Sequence, residues 1–173
     1  DTTMRVEKGT TIDLEAKAIA ESDDVLTVEG YASTFNNVDH GGDVVVPGAF
    51  KKSLSEIGLP MLLWQHKMDE PPIGSVIEAK EDSKGLWYKA EIPKDGGGDP
   101  LIKRIVGGLK RRAIKSNSIG YKTAKSERRK SDNARMLREL KLYEISLVNL
   151  PMNPEASVDR VKGLTGFQAL PLV

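Results

Sequence analysis

Ser116-Asn117-Ser118-Ile119-Gly120-Tyr121 alternates polar and apolar side chains, the two-residue period of a strand with one buried face. A basic, helix-like segment precedes it. Read as a strand, it sets Ser116 and Ser118 on one face, where a hydroxyl can serve as a nucleophile. A serine attacks a carbonyl at neutral pH only beside a base. The chemistry of the stretch does not choose between the two serines. Gly120 favours Ser118, because it leaves the same face open for a substrate backbone to approach. Two other stretches are placed to serve this strand: Trp64-Gln65-His66, at the end of an apolar run, and Tyr143-Glu144-Ile145-Ser146-Leu147-Val148, a carboxylate inside an apolar strand.

Working outward, strands mostly follow strands. Val25–Phe35 alternates and is rich in β-branched and aromatic residues. Residues 36–43 form a polar, glycine-containing loop, and Val44–Phe50 leads into a helix near Ala49–Ile57 that Gly58 and Pro60 stop. Met61–His66 reads as a buried strand with Leu62, Trp64 and His66 on one face. Ile73–Lys80 and Leu86–Ile92 flank a polar turn and form a hairpin. Asp99 is an N-cap and Pro100 a first helical residue. Leu101, Ile102, Ile105, Val106 and Leu109 then share a helical face, fit to cover a sheet or to meet a second copy of the chain. Residues 126–133 read as a charged loop. Ala134–Leu150 is a long strand that Pro151 ends. This order predicts a mixed α/β but mainly β fold: an antiparallel or mixed β-barrel surrounded by helices, not a doubly wound sheet. Three segments are expected: a polar stretch over 1–24, with a first strand or short helix near Ile12–Ile19, a domain over 25–158, and a tail over 159–173.

The composition fits one such domain. The chain has 173 residues, 39% apolar and 29% charged. A net charge of +1 gives no strong field toward nucleic acid or a membrane, and neither is an expected partner. The absence of cysteine excludes a thiol nucleophile, a thiolate metal site and disulfides, and fits a reducing compartment. No apolar run approaches the roughly 20 residues that span a bilayer. The polar opening residues do not read as a signal peptide, and Asp1 reads as a trimmed start.

The two histidines differ in setting. His66 stands where an apolar strand meets a polar loop, the partly desolvated place a general base needs. His40 lies in a glycine-rich turn and reads as solvated. Asp39, His40 and Asp43 are too sparse for a convincing hard-cation site, and neither metal nor cofactor is expected. Glu144 shares a parity with Leu140, Leu142, Ser146 and Val148. A carboxylate on an apolar face costs several kcal/mol unless it is paired. It either answers an arginine or holds the His66 imidazole.

These stretches jointly resemble the prohead, or capsid maturation, proteases of tailed bacteriophages. The resemblance runs from about Val28 to Val158. Its pieces, in order, are Gly30–Phe35, Asp39 with Gly42-Asp43, Val46–Phe50, Leu63–His66, Pro72–Gly74, Gly85-Leu86, Ser118–Tyr121, and Tyr143–Val148 followed by Pro151, Asn153 and Ala156. The resemblance implies a barrel wrapped by helices, related to the herpesvirus assembly proteases. It implies Ser118 as nucleophile and His66 as base. The herpesvirus relatives carry a second histidine as third member; Glu144 stands on the matching strand here, with Ser146 as a weaker orienting group. Those relatives also use an arginine for the oxyanion, where Asn149–Met152 stands here, so backbone near Gly120 is one candidate donor.

The implied activity is that of a serine endopeptidase, working inside an assembling procapsid in the host cytoplasm. Its substrates would be scaffolding protein, the scaffold region of the major capsid protein, and the protease itself. The implied assembly is a homo-oligomer, with a dimer through the 100–112 helix as one form. The competing reading is a non-catalytic capsid-assembly protein on the same fold.

Overall fold

The computed structural model describes residues 7–8, 17–21, 24–39 and 41–149. His40, the 159–173 tail and most of the 1–24 segment lie outside these residues. In chain order the elements are β1 (Glu7–Lys8), β2 (Lys17–Glu21), β3 (Val25–Thr34), β4 (Asp43–Val45), α1 (Lys51–Glu56), β5 (Met61–Trp64), β6 (Gly74–Glu81), β7 (Gly85–Pro93), α2 (Pro100–Lys110), β8 (Ser116–Arg128) and β9 (Arg135–Val148). The architecture is mainly β, as the sequence predicts. The strands form one sheet in the order β1-β8-β9-β5-β6-β7-β3-β2, with β4 also beside β9. Only β4 and β5 run parallel to β9; the other pairs are antiparallel.

The sheet curls on itself until β3 meets β8 across the interior. Inside, Leu26, Val28, Leu62, Ile119 and Leu147 pack in one core. The buried phenol of Tyr88 on β7 donates to Asn117 Oδ1 on β8 at 2.5 Å. Burial pushes that phenol well above its ordinary pKa, so it remains a donor. A hydrogen bond across the curl satisfies two polar groups that would otherwise be costly to bury. Helix α2 begins as expected: Asp99 Oδ1 accepts from the Leu101 N–H at 2.8 Å and Pro100 opens the first turn. Its Ile105, Val106 and Leu109 enter the same core, so its apolar face covers the sheet.

β9 organises everything else, and its two edges are satisfied differently. β8 lines one edge for the whole length, from Arg128↔Arg135 to Ser116↔Val148. The other edge is shared. β4 takes Arg135–Leu137 and β5 takes Glu144–Leu147. The gap between them is filled by the α1 region: the Leu140 N–H donates to Ala49 O at 2.9 Å, and the Leu142 N–H to Ser53 Oγ at 2.8 Å. α1 is anchored in turn at its start, where Glu81 Oε2 and Oε1 accept from the Gly48 and Phe50 N–H groups at 2.9 and 2.8 Å. A carboxylate on the free amides of a helix start is a favourable capping arrangement.

Two expectations shift. The first part of the presumed loop at 126–133 is ladder, because β8 runs to Arg128. Charged cross-strand neighbours hold it: Lys125 Nζ lies 2.9 Å from Glu139, and Arg138 bonds Glu127. The turn that remains is closed by Arg129, whose hydrogen bond lowers the Asp132 carboxyl to about 2. The strand expected over Met61–His66 ends at Trp64.

Ser53→Ala leaves the buried Leu142 N–H without its acceptor. It should lower unfolding stability by about 1–3 kcal/mol in urea titrations, with the fold retained.

Candidate active site

The apolar alternation of β9 changes phase near its middle. Gly120 pairs with Glu144 and Tyr121 with Leu142, so Tyr143 has no partner on β8. An extra residue on one strand is a β-bulge. Before it, Leu140 and Leu142 enter the core; after it, Ile145 and Leu147 do. Glu144, Ser146 and Val148 are therefore turned to the opposite face, across the ladder from Gly120, Ser118 and Ser116. The common parity of Glu144 with Leu140 and Leu142 is thus corrected: the count runs through the bulge.

A second break in periodicity brings His66 to that face. Gln65 and His66 have φ of 54° and 58°, in the left-handed region. A non-glycine residue there costs about 1–2 kcal/mol. Leu62 and Trp64 pack toward the core, but the turn carries the His66 side chain away from it, which corrects the expected common face of the three. Hydrogen bonds to β9 hold the turn. The Gln65 N–H donates to Leu147 O at 3.0 Å, and the His66 N–H donates to Ser146 Oγ at 3.0 Å.

The result is a compact polar cluster. His66 Nδ1 lies 2.5 Å from Glu144 Oε1, although the two residues are 78 apart in sequence. Ser146 Oγ donates to the other carboxylate oxygen, Oε2, at 2.6 Å. Glu144 is 1% exposed, and a carboxylate at that depth is tolerable because both oxygens are engaged. The imidazole is the more accessible member, with its side chain 11% exposed. Gly120 makes the space. A Cβ there would fall 2.3 Å from Glu144 Oε1 and 2.8 Å from Cγ. Gly120 therefore accommodates the carboxylate, and not a substrate backbone as its sequence position implied. Its strand is flanked by Glu144 on β9 and Lys8 on β1.

The structure thus joins His66 to Glu144 directly. Ser118 is placed by register: it pairs with Ser146, on the rung next to the Gly120–Glu144 rung of the same face. Ser116 lies one same-face rung further away, opposite Val148. Ser118 is fully buried. Asp43 of the sparse acidic group is engaged elsewhere, with Arg135 Nε and Nη2 at 2.7 and 2.6 Å. Among the described residues no cluster of three metal-ligating side chains forms. Sequence reasoning missed the roles of Gly120 and Gln65. The only available signal was a glycine inside a strand pattern, which marks a bulge or close approach.

A family model described as Caudovirus prohead serine protease matches residues 12–167. The prohead protease of Enterobacteria phage HK97 is 30% identical over 144 residues, 82% of this chain and 63% of that protein. The prohead protease of Escherichia phage T5 is 28% identical over 158 residues, 90% of this chain and 70% of that protein. This chain therefore spans about two thirds of the length of those relatives. Among solved structures, the bacteriophage T4 capsid assembly protease aligns with a TM-score of 0.58 over 85% of this chain and 97% of its own, at 12% identity. That likeness is one of fold.

Gly120→Ala should force the Glu144 carboxylate off its seat at a cost of about 1–3 kcal/mol. In proton NMR, the downfield imidazole N–H resonance expected of a histidine bonded to a carboxylate should shift or vanish. An unchanged resonance would show that the carboxylate does not need the glycine.

Proposed function

The chain belongs to the caudovirus prohead serine protease family, and on that premise we propose that it is a serine endopeptidase with Ser118 as nucleophile, His66 as general base and Glu144 as the acid that orients it. One observation carries the reading: the 2.5 Å contact of His66 Nδ1 with a buried carboxylate, on the face that carries Ser118 one rung away. An ionised carboxylate can only accept, so Nδ1 donates and Nε2 keeps the lone pair a base requires. Ser118 Oγ bonds to the peptide carbonyl carbon as its proton passes to Nε2. The C–N bond then breaks as that proton goes to the departing amine. Water repeats the sequence to release the serine. Glu144 stabilises the imidazolium formed between the two transfers.

The substrates of this reading are scaffolding protein, the scaffold-like region of the major capsid protein, and the protease's own chain. The place of action is the interior of the procapsid in the host cytoplasm. A homodimer remains part of the proposal, although the apolar face of α2 is already used by the core.

A second reading, a non-catalytic assembly protein on the same fold, is favoured by one observation. Ser118 is fully buried, so a carbonyl reaches it only after the covering groups move. Incubation with a serine-directed phosphonate followed by mass spectrometry separates the two. Labelling of Ser118 supports the protease; no label on any serine supports the assembly protein.

Ser118→Ala should abolish cleavage of capsid or scaffold substrate with the fold intact, and normal processing by it would rule out the assignment. Ser116→Ala should have a much smaller effect. Glu144→Gln should slow turnover by about 10⁴-fold, as neutralising the acid does in other triads.

A further inference from the structure

The geometry points to Ser146 as a positioning residue that couples the acid to the base through a single hydroxyl. This rests on the protease reading above and extends it. Three observations meet at this side chain. Its Oγ donates to Glu144 Oε2 at 2.6 Å. The same Oγ accepts from the His66 backbone N–H at 3.0 Å. Its backbone pairs with Ser118 on one side and Leu63, at the root of the His66 turn, on the other. Ser146 is completely buried, so no solvent competes for either bond.

The hydroxyl therefore fixes two things that the His66–Glu144 contact needs. On the acid, it occupies the oxygen that does not face the imidazole, which sets the rotation of the carboxylate about its last bond. On the base, it holds the backbone of a residue kept in the left-handed region, where non-glycine residues do not settle unaided. Because one oxygen serves both ends, a shift of either partner is transmitted to the other. An alanine would leave Oε2 without this donor and the His66 N–H without this acceptor, loosening both halves together. Its two hydrogen bonds go to Glu144 and His66, so its effect runs through them.

The test uses inactivation by a fluorophosphonate, with the label mapped by mass spectrometry. Ser146→Ala should lower the maximal inactivation rate by about 10–100-fold, the usual cost of losing a group that orients a functional ligand, with half-saturating concentration unchanged. The downfield His66 N–H resonance should move as well. In a Glu144→Gln background the same substitution should cost less than it does alone, because the arm through the carboxylate is already lost and only the hold on the His66 backbone remains. Ser146→Cys, close in size and a weak hydrogen-bonding group, should lose nearly as much as alanine and serves if the alanine variant does not fold. A parental rate in the single variants, or the full loss repeated in the Glu144→Gln background, overturns the proposal. Failure of the underlying reading looks different: parental reactivity of Glu144→Gln itself, or a label absent from Ser118.

Discussion

The buried Glu144 carboxylate is the constraint around which this site is built. An ionisable group that is 1% exposed survives only where each oxygen has a partner. Here the partners come from opposite directions: an imidazole on the turn after β5 and a hydroxyl two residues along β9. To admit it at all, the neighbouring strand gives up a side chain at Gly120. To aim it away from the core, β9 takes an unpaired residue at Tyr143. To reach it, the chain accepts two consecutive left-handed residues at Gln65 and His66. Each of these departs from regular strand geometry, and all three occur where the polar cluster forms. Bulges occur elsewhere in the sheet too, in the β3–β7 and β6–β7 ladders, so it is the convergence of these three on one carboxylate that marks the site.

The rest of the sheet absorbs these departures because β9 is supported along both edges. A short helix does part of a strand's work there. Ala49 O and Ser53 Oγ accept the β9 amides that β4 and β5 leave between them. Glu81 on β6 fixes the start of that helix, so the edge is tied to the far side of β5. The buried Tyr88–Asn117 bond then links β7 to β8 across the interior.

Much of this was legible in the sequence, and the reasons for the exceptions are local. β3 is rich in β-branched and aromatic residues, β7 alternates buried and half-buried residues, and α2 carries both its N-cap Asp99 and its opening Pro100. The pairing of His66 with Glu144 was legible as chemistry, since a carboxylate in an apolar strand demands a partner. Its geometry was not. Period-2 counting assumes an unbroken ladder, and it failed at Tyr143 and at Gln65 because a bulge and a left-handed turn leave no distinctive residue type behind. The outer half of β8 was hidden for another reason. Its stability comes from charged pairs such as Lys125–Glu139 and not from apolar alternation. β4, three residues long and parallel to a strand about 90 positions away in the chain, has no local signature at all.

The position of β9 in the chain carries a consequence for biosynthesis. The strand that every central neighbour borders is the last of the described ones to leave the ribosome. Until it arrives, β5 and β8 share no common border, and the imidazole has no acid to lean on. Vectorial synthesis therefore delays assembly of the polar cluster until β9 has been made. The His66–Glu144 pair forms only once β9 has taken its place in the sheet.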